Sequence, residues 1–128
     1  MRILLDTHVL ICSLHHVERL PSDLCEALSR RENDVYFSAA SIWEIAIKTA
    51  LRRFDFNYRP DDIAAAARET GFAELPVSAS QASQVAQLPP IHDDPFDRLL
   101  IAQALSMPAT LVTANAVLSA YSELVRVI

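Results

Sequence analysis

Glycine is almost missing from this chain: among 128 residues Gly71 stands alone. A Walker loop, a GxGxxG dinucleotide turn and a GxSxG nucleophile elbow each need several glycines, where the backbone turns tightly or lets a phosphate approach, so all three are excluded. Cysteine is scarce as well. Cys12 and Cys25 are too few for a disulfide framework and too far apart for CxxC chemistry. With no signal-peptide pattern at the start, a reducing cytosol is the expected setting. Lysine is represented by Lys48 alone against ten arginines, and arginine suits bidentate pairing with a phosphodiester or an acidic partner. Long apolar runs are lacking too. The opening run from Ile3 to Leu5 is cut by Asp6, far short of a membrane span, so a soluble chain is expected. A net charge of -5 argues against a broadly basic surface that neutralises many phosphates at once, though it leaves room for a small or metal-mediated contact.

What is present is hydrophobic substance, 52% of residues. A chain of this length forms one compact domain, 1–128, that buries roughly two thirds of its unfolded surface. Strand and helix signals alternate. Arg2 to Leu5 reads as a buried strand, Val9 to His16 as a short helix, and Ser22 to Arg31 as a helix with Ser22 at its N-cap. Val35 to Phe37 is the next strand. Ser41 to Arg52 sets Ile42, Ile45 and Thr49 near one face and Trp43, Ile47 and Leu51 near another, the pattern of a largely buried helix. Asp61 to Thr70 is Ala-rich and stopped by Gly71. Glu74 to Val77 is a weak strand, Ser80 to Gln87 a polar-faced helix, and Leu88 to Pro95 a loop held by prolines. Phe96 to Leu105 is a strong helix, followed by strands at Thr110 to Thr113 and Leu124 to Ile128. This rhythm implies an α/β fold: a mainly parallel β-sheet flanked on both faces by α-helices.

Four acids stand out against that pattern: Asp6 closing the first apolar run, Glu44 opening a helical pattern, and Asp94 and Asp97 in HDDPFDRLLIAQA. Each lies near a strand-to-helix handover, where open α/β sheets gather ligands. Each also has a plain structural explanation. Asp6 can cap the helix near Val9; Ser41-Ile42-Trp43-Glu44 matches a capping box; Asp97 suits the first turn of a helix; Asp94, beside Pro95, can serve a turn or a cap. Together they say more. Carboxylates converging on one sheet edge repel each other unless a cation compensates, and an all-oxygen set without a Cys/His pair at zinc spacing favours Mg²⁺ or Mn²⁺ over Zn²⁺.

Other residues have two readings. His8 and His92 flank the acids and read as ligands, as general acids, or as structural groups that orient the carboxylates. Thr113 ends a strand and can position a phosphate or a water. The segment Leu51 to Arg59 interleaves Arg52, Arg53 and Arg59 with Phe54, Phe56 and Tyr58, which suits a grip on single-stranded RNA or, equally, a half-buried extended segment.

LLDTHVL, SAASIWEIAIK, HDDPFDRLLIAQA and LVTAN, in that order and spacing, resemble the PIN-domain ribonucleases, in particular the VapC-like toxins of bacterial toxin-antitoxin pairs. The resemblance covers almost the whole chain. It implies that Asp6, Glu44 and Asp97 form an acidic triad that binds Mg²⁺ or Mn²⁺ and cleaves RNA, leaving 5′-phosphate and 3′-hydroxyl ends. It further implies a small antitoxin as partner and a second copy of the chain in a homodimer or larger assembly. The family usually carries a fourth acid after the penultimate strand, where this chain has Asn115. An amide oxygen can still ligate a hard cation, with one negative charge fewer, and Asp94 is a further candidate to supply it. The alternative is a PIN-like module of weak or absent activity that works by binding protein or RNA. Haloacid-dehalogenase-like phosphatases fit poorly, since His8 stands where their second Asp would be. Receiver domains need a late-strand Lys, and Lys48 is the only lysine.

Overall fold

The structure is a computed structural model that describes residues 1–51 and 57–128. Five strands form one sheet in the order β3-β2-β1-β4-β5, and every pairing is parallel. In chain order the elements are β1 (Arg2–Leu5), α1 (Thr7–His15), α2 (Ser22–Ser29), β2 (Asp34–Ser38), α3 (Ala39–Ala50), α4 (Pro60–Thr70), β3 (Ala73–Leu75), α5 (Ala79–Gln84), α6 (Pro95–Ser106), β4 (Thr110–Thr113) and β5 (Val125–Val127). The mainly parallel sheet expected from the alternating pattern is what the chain forms.

The two-residue period of the strands divides the core. Ile3, Leu5, Val35, Phe37 and Val112 face one side and pack with Val9, Leu10, Leu24, Ile45 and Ile63 from α1 to α4. Leu4 and Leu111 face the other, against Leu100, Ile101 and Ala104 of α6. β1 sits in the centre, its Leu4 level with Tyr36 of β2 and Leu111 of β4. Each of these fully buried leucines contributes roughly 1.5–3 kcal/mol, which is why a parallel strand as short as RILL is secure. Among the described residues no helix is long and apolar enough to cross a membrane.

Several boundaries depart from the sequence reading for local reasons. α3 begins at Ala39, because the Ser38 hydroxyl accepts from the Ala40 N–H at 3.0 Å and caps the helix. Ser41 is therefore inside the helix, and the capping box with Glu44 does not form. In α2 Ser22 is the first helical residue rather than the cap, with Pro21 at the cap position and no side-chain capping bond. The weak strand forms as Ala73–Leu75, beside Tyr36 to Ser38 of β2. α5 starts with a capping box of Ser78 and Gln81 and ends at Gln84, the expected last turn tightening into a 3-10 helix over Val85–Gln87. α4 stops at Gly71, whose φ of 100° is the left-handed conformation that glycine adopts without strain. In α3 Trp43, expected on a face of a largely buried helix, is 61% exposed, while Glu44 is buried. Of the Leu51 to Arg59 segment, residues 52–56 lie outside the described residues. Tyr58 stacks on His15 with ring centroids 5.4 Å apart, and exposed Arg59 pairs with Asp61 and Asp62.

Candidate metal centre

From β1 the chain builds outward through β2 to β3, then returns to add β4 and β5 on the opposite side of β1. The sheet thus reverses its order between β1 and β4, and a crevice opens beyond the carboxyl ends of these strands. That crevice, about 360 Å³, is lined by Asp6, Thr7, His8, Glu44, Lys48, Asp97, Ala114 and Asn115. A cavity of similar volume at the other end of β2 and β3 is lined by Arg30, Arg31, Asp34 and Tyr36 among others. Chemistry and not size sets the first apart, since it gathers three acids from three separate elements.

Asp6 immediately follows β1. Its Oδ1 accepts from the Val9 N–H at 2.8 Å, so it does cap α1, and it also lines the crevice. Burial raises its pKa above the usual carboxylate range, and the negative charge of Glu44 adds to this. Hydrogen bonds from Thr113 and Val9 and the charge of His8 work the other way. Thr113, a candidate for holding a phosphate or water, is fully buried. Its hydroxyl bonds to Asp6 and accepts the Asn115 N–H at 3.0 Å.

Glu44 points inward from the second turn of α3. The Thr7 hydroxyl donates to its Oε1 at 2.5 Å, and the Lys48 ammonium donates to its Oε2 at 2.6 Å. Thr7 and Ser41 hydroxyls are themselves joined at 2.9 Å, stitching α1 to α3 beneath the carboxylate. The spacing of Glu44 and Lys48, four residues apart on a helix, was a readable signal for this pair. Thr7 gave none, its partners lying more than thirty residues away.

Asp97 sits in the first turn of α6. Burial lifts its pKa to about 6; the charges of Asp94, Asp6 and Glu44 add to the rise, and a hydrogen bond from His92 opposes it. Asp94 is the N-cap of α6, its Oδ1 accepting the Asp97 N–H at 2.9 Å. It does not line the crevice and reaches Asp97 through its charge. Asn115 caps the following 3-10 turn through Oδ1, which accepts the Val117 N–H at 3.2 Å, while Nδ2 lies 3.5 Å from His92 Nε2. His8 is exposed at the rim, with Nε2 3.7 Å from the Cys12 sulfur.

The donor chemistry suits a hard cation: carboxylate oxygens, an amide and hydroxyls, with the carboxyls of Asp6 and Asp97 raised chiefly by burial and in smaller part by neighbouring acids. Among the described residues no three Asp, Glu, His or Cys side chains stand close enough together to hold an ion as they are. Glu44 is turned instead to the Lys48 ammonium, which occupies the position of a compensating charge.

The model of the PIN domain family matches residues 3–124. Among solved structures the chain is similar to VapBC2 from Rickettsia felis bound to a DNA fragment from their promoter. That match has a TM-score of 0.69 and 14% identity, covering 100% of this chain and 98% of that one. It is also similar to FitAcB from Neisseria gonorrhoeae, with a TM-score of 0.56, 21% identity and 91% and 89% coverage. A third likeness is to VapBC-1 from nontypeable Haemophilus influenzae, at 0.58, 22%, and 90% and 87%. No curated protein matches by sequence. At these identities the structural likenesses speak for the fold, and the family match speaks for the sequence pattern along nearly its whole length. This chain belongs to the PIN domain family.

Proposed function

We propose that this protein is a metal-dependent endoribonuclease and the toxin of a toxin-antitoxin pair. One observation carries the reading: Asp6, Glu44 and Asp97, far apart in sequence, line one crevice at the reversal point of the sheet and repel one another there. PIN domains are generally nucleases, and the similar solved structures are toxin-antitoxin complexes. Asp6, Glu44 and Asp97 would hold Mg²⁺ or Mn²⁺, with Asn115 lining the crevice beside them and Asp94 adding charge from outside it. A cation held there would supply polarisation of a phosphodiester and a lowered pKa of a bound water, the chemistry of a hydrolysis that leaves 5′-phosphate and 3′-hydroxyl ends.

The side chains have distinct tasks in this reading. Asp6, desolvated and fixed by Val9 and Thr113, is a rigid carboxylate that needs little reorganisation on binding. Glu44, paired with Lys48 in the metal-free protein, would be a ligand to the cation, and Lys48 places positive charge at the crevice where the substrate phosphate would lie. Thr7 holds Glu44 in its inward orientation. A small antitoxin that covers the crevice would block all of this, and a second copy of the chain completes the assembly expected from the family. The setting is the cytoplasm, where RNA and Mg²⁺ are both at hand.

The test is a divalent-cation titration with an RNA cleavage assay on the purified chain and on Glu44→Gln. Cleavage should require Mg²⁺ or Mn²⁺ and disappear in the variant with its fold intact. Expression of the chain alone should slow growth, and a small protein encoded beside it should relieve this. Full activity in Glu44→Gln, or no cleavage at any cation concentration, would leave the binding-module reading in its place.

A further inference from the structure

The loop before α6 is held with unusual thoroughness. Arg98 donates through Nη1 to the Pro89 carbonyl at 3.1 Å and to the Tyr121 hydroxyl at 3.1 Å, and through Nη2 to the Val85 carbonyl at 3.0 Å. The Tyr121 hydroxyl in turn accepts the backbone N–H of His92 at 2.9 Å. A guanidinium with five N–H donors is thus spent on clamping one loop to the helix that bears Asp97. What the clamp fixes is the imidazole of His92. Its Nε2 lies 3.0 Å from Asp97 Oδ2, and among the described residues only that oxygen of Asp97 is engaged, so Oδ1 is left for the crevice.

Asn115 decides how the imidazole is used. Its Oδ1 is committed to the Val117 N–H, which turns Nδ2, a donor, toward His92 Nε2. A donor cannot accept the Nε2 proton, whereas a carboxylate at this position would compete for it. We propose that His92 is a positioning residue of the crevice: its Nε2–H holds Asp97 Oδ2 so that Oδ1 faces the cation, and Asn115 leaves that N–H directed at Asp97 by offering no rival acceptor. Its effect on metal affinity rests on the metal-centre reading above; the hold on Asp97 does not.

The experiment uses the full chain with His92→Leu, which removes the donor, and His92→Gln, which returns an N–H of similar reach. Two quantities are read: the Asp97 side-chain carboxyl ¹³C resonance of the metal-free protein, and Mn²⁺ affinity by electron paramagnetic resonance. His92→Leu should move the resonance and weaken Mn²⁺ binding about ten- to a hundredfold, the usual cost of losing a group that orients a ligand. His92→Gln should bring both back toward the wild type. An unmoved resonance, or equal Mn²⁺ affinity in wild type and His92→Leu, overturns the proposal. If the wild type binds no Mn²⁺ while the resonance still answers to Leu and Gln, the metal reading fails and the hold on Asp97 stands. Should His92→Leu not fold, the wild-type imidazole ¹⁵N pattern decides: Nε2 must carry a proton, and a neutral ring protonated on Nδ1 alone overturns the proposal.

Discussion

Replacing Asp97 by Asn should make the metal-free protein more stable while depriving it of its response to metal. The carboxyl of Asp97 is pushed from 3.8 up to about 6 in the folded chain. At about 1.36 kcal/mol for each factor of ten, a charged Asp97 costs the native state roughly 3 kcal/mol above pH 6. The side chain is 22% exposed, so relaxation and water lower the realised figure to on the order of 1–2 kcal/mol. The sign follows from proton counting. Because the folded-state pKa is raised, the native chain binds more protons than the unfolded one between about pH 4 and 6. Stability therefore falls as pH rises through that window and stays low above it. Asn keeps the shape and an acceptor for His92 but carries no charge. Urea unfolding in EDTA should then show Asp97→Asn more stable than wild type by about 1–2 kcal/mol at pH 7.5, with the gain shrinking by pH 4.5, where the wild-type carboxyl is mostly protonated. Added Mn²⁺ should stabilise the wild type alone. A variant less stable at pH 7.5, or a gain independent of pH, would refute the reasoning.

At Asp6 the cap of α1 is a separate effect: Asp6→Ala and Asp6→Asn both remove the buried charge, but only Asn keeps the capping oxygen, so Asp6→Ala should be about 1 kcal/mol less stable than Asp6→Asn in urea unfolding; equal stabilities would show that the cap is immaterial. Asn115→Asp adds a negative charge to the crevice but also brings a rival acceptor to His92; in the His92→Leu background, where no N–H can be diverted, it should lower the Mn²⁺ concentration for half-maximal RNA cleavage, and an unchanged or raised requirement would place residue 115 outside the cation's influence. Gly71→Ala meets no atom within 4 Å but must keep φ near 100°, so thermal unfolding should show a loss of about 1 kcal/mol from backbone strain alone.

The fold was legible where sequence and burial agree. RILL and TLVT are apolar runs with sharp polar ends, and they are the two strands between which the crevice opens. The family match spans residues 3–124, and the fold sets Asp6, Glu44 and Asp97 around one crevice. The α3 boundary was harder, because Ser38 and Ser41 both suit an N-cap and only the end of β2 decides between them. Trp43 departs from the sequence reading, which sets it on a face of a largely buried helix, for a deeper reason. Hydropathy puts Trp inside and Glu outside, whereas this helix sets Glu44 against Thr7 and Lys48 and leaves the indole at the surface. His92 was open between ligand and orienting group, and its contact with Asp97 across a proline-rich loop has no periodic signature. Ser78 with Gln81 was a readable capping box that the polar character of the stretch concealed.

The reversal of strand order about β1 has a consequence for synthesis as well as for chemistry. A ribosome releases β1, β2 and β3 first, and these can pair in the order they emerge; β4 must then insert beside β1 on its vacant side, closing a loop of nearly the whole chain. Asp6 and Glu44 are exposed early, but Asp97 arrives with α6, and its wall of the crevice is fixed only when β4 docks. A partly made chain therefore carries two of the three acids and no enclosed crevice. Topology itself thus delays completion of the crevice until β4 has emerged and docked beside β1.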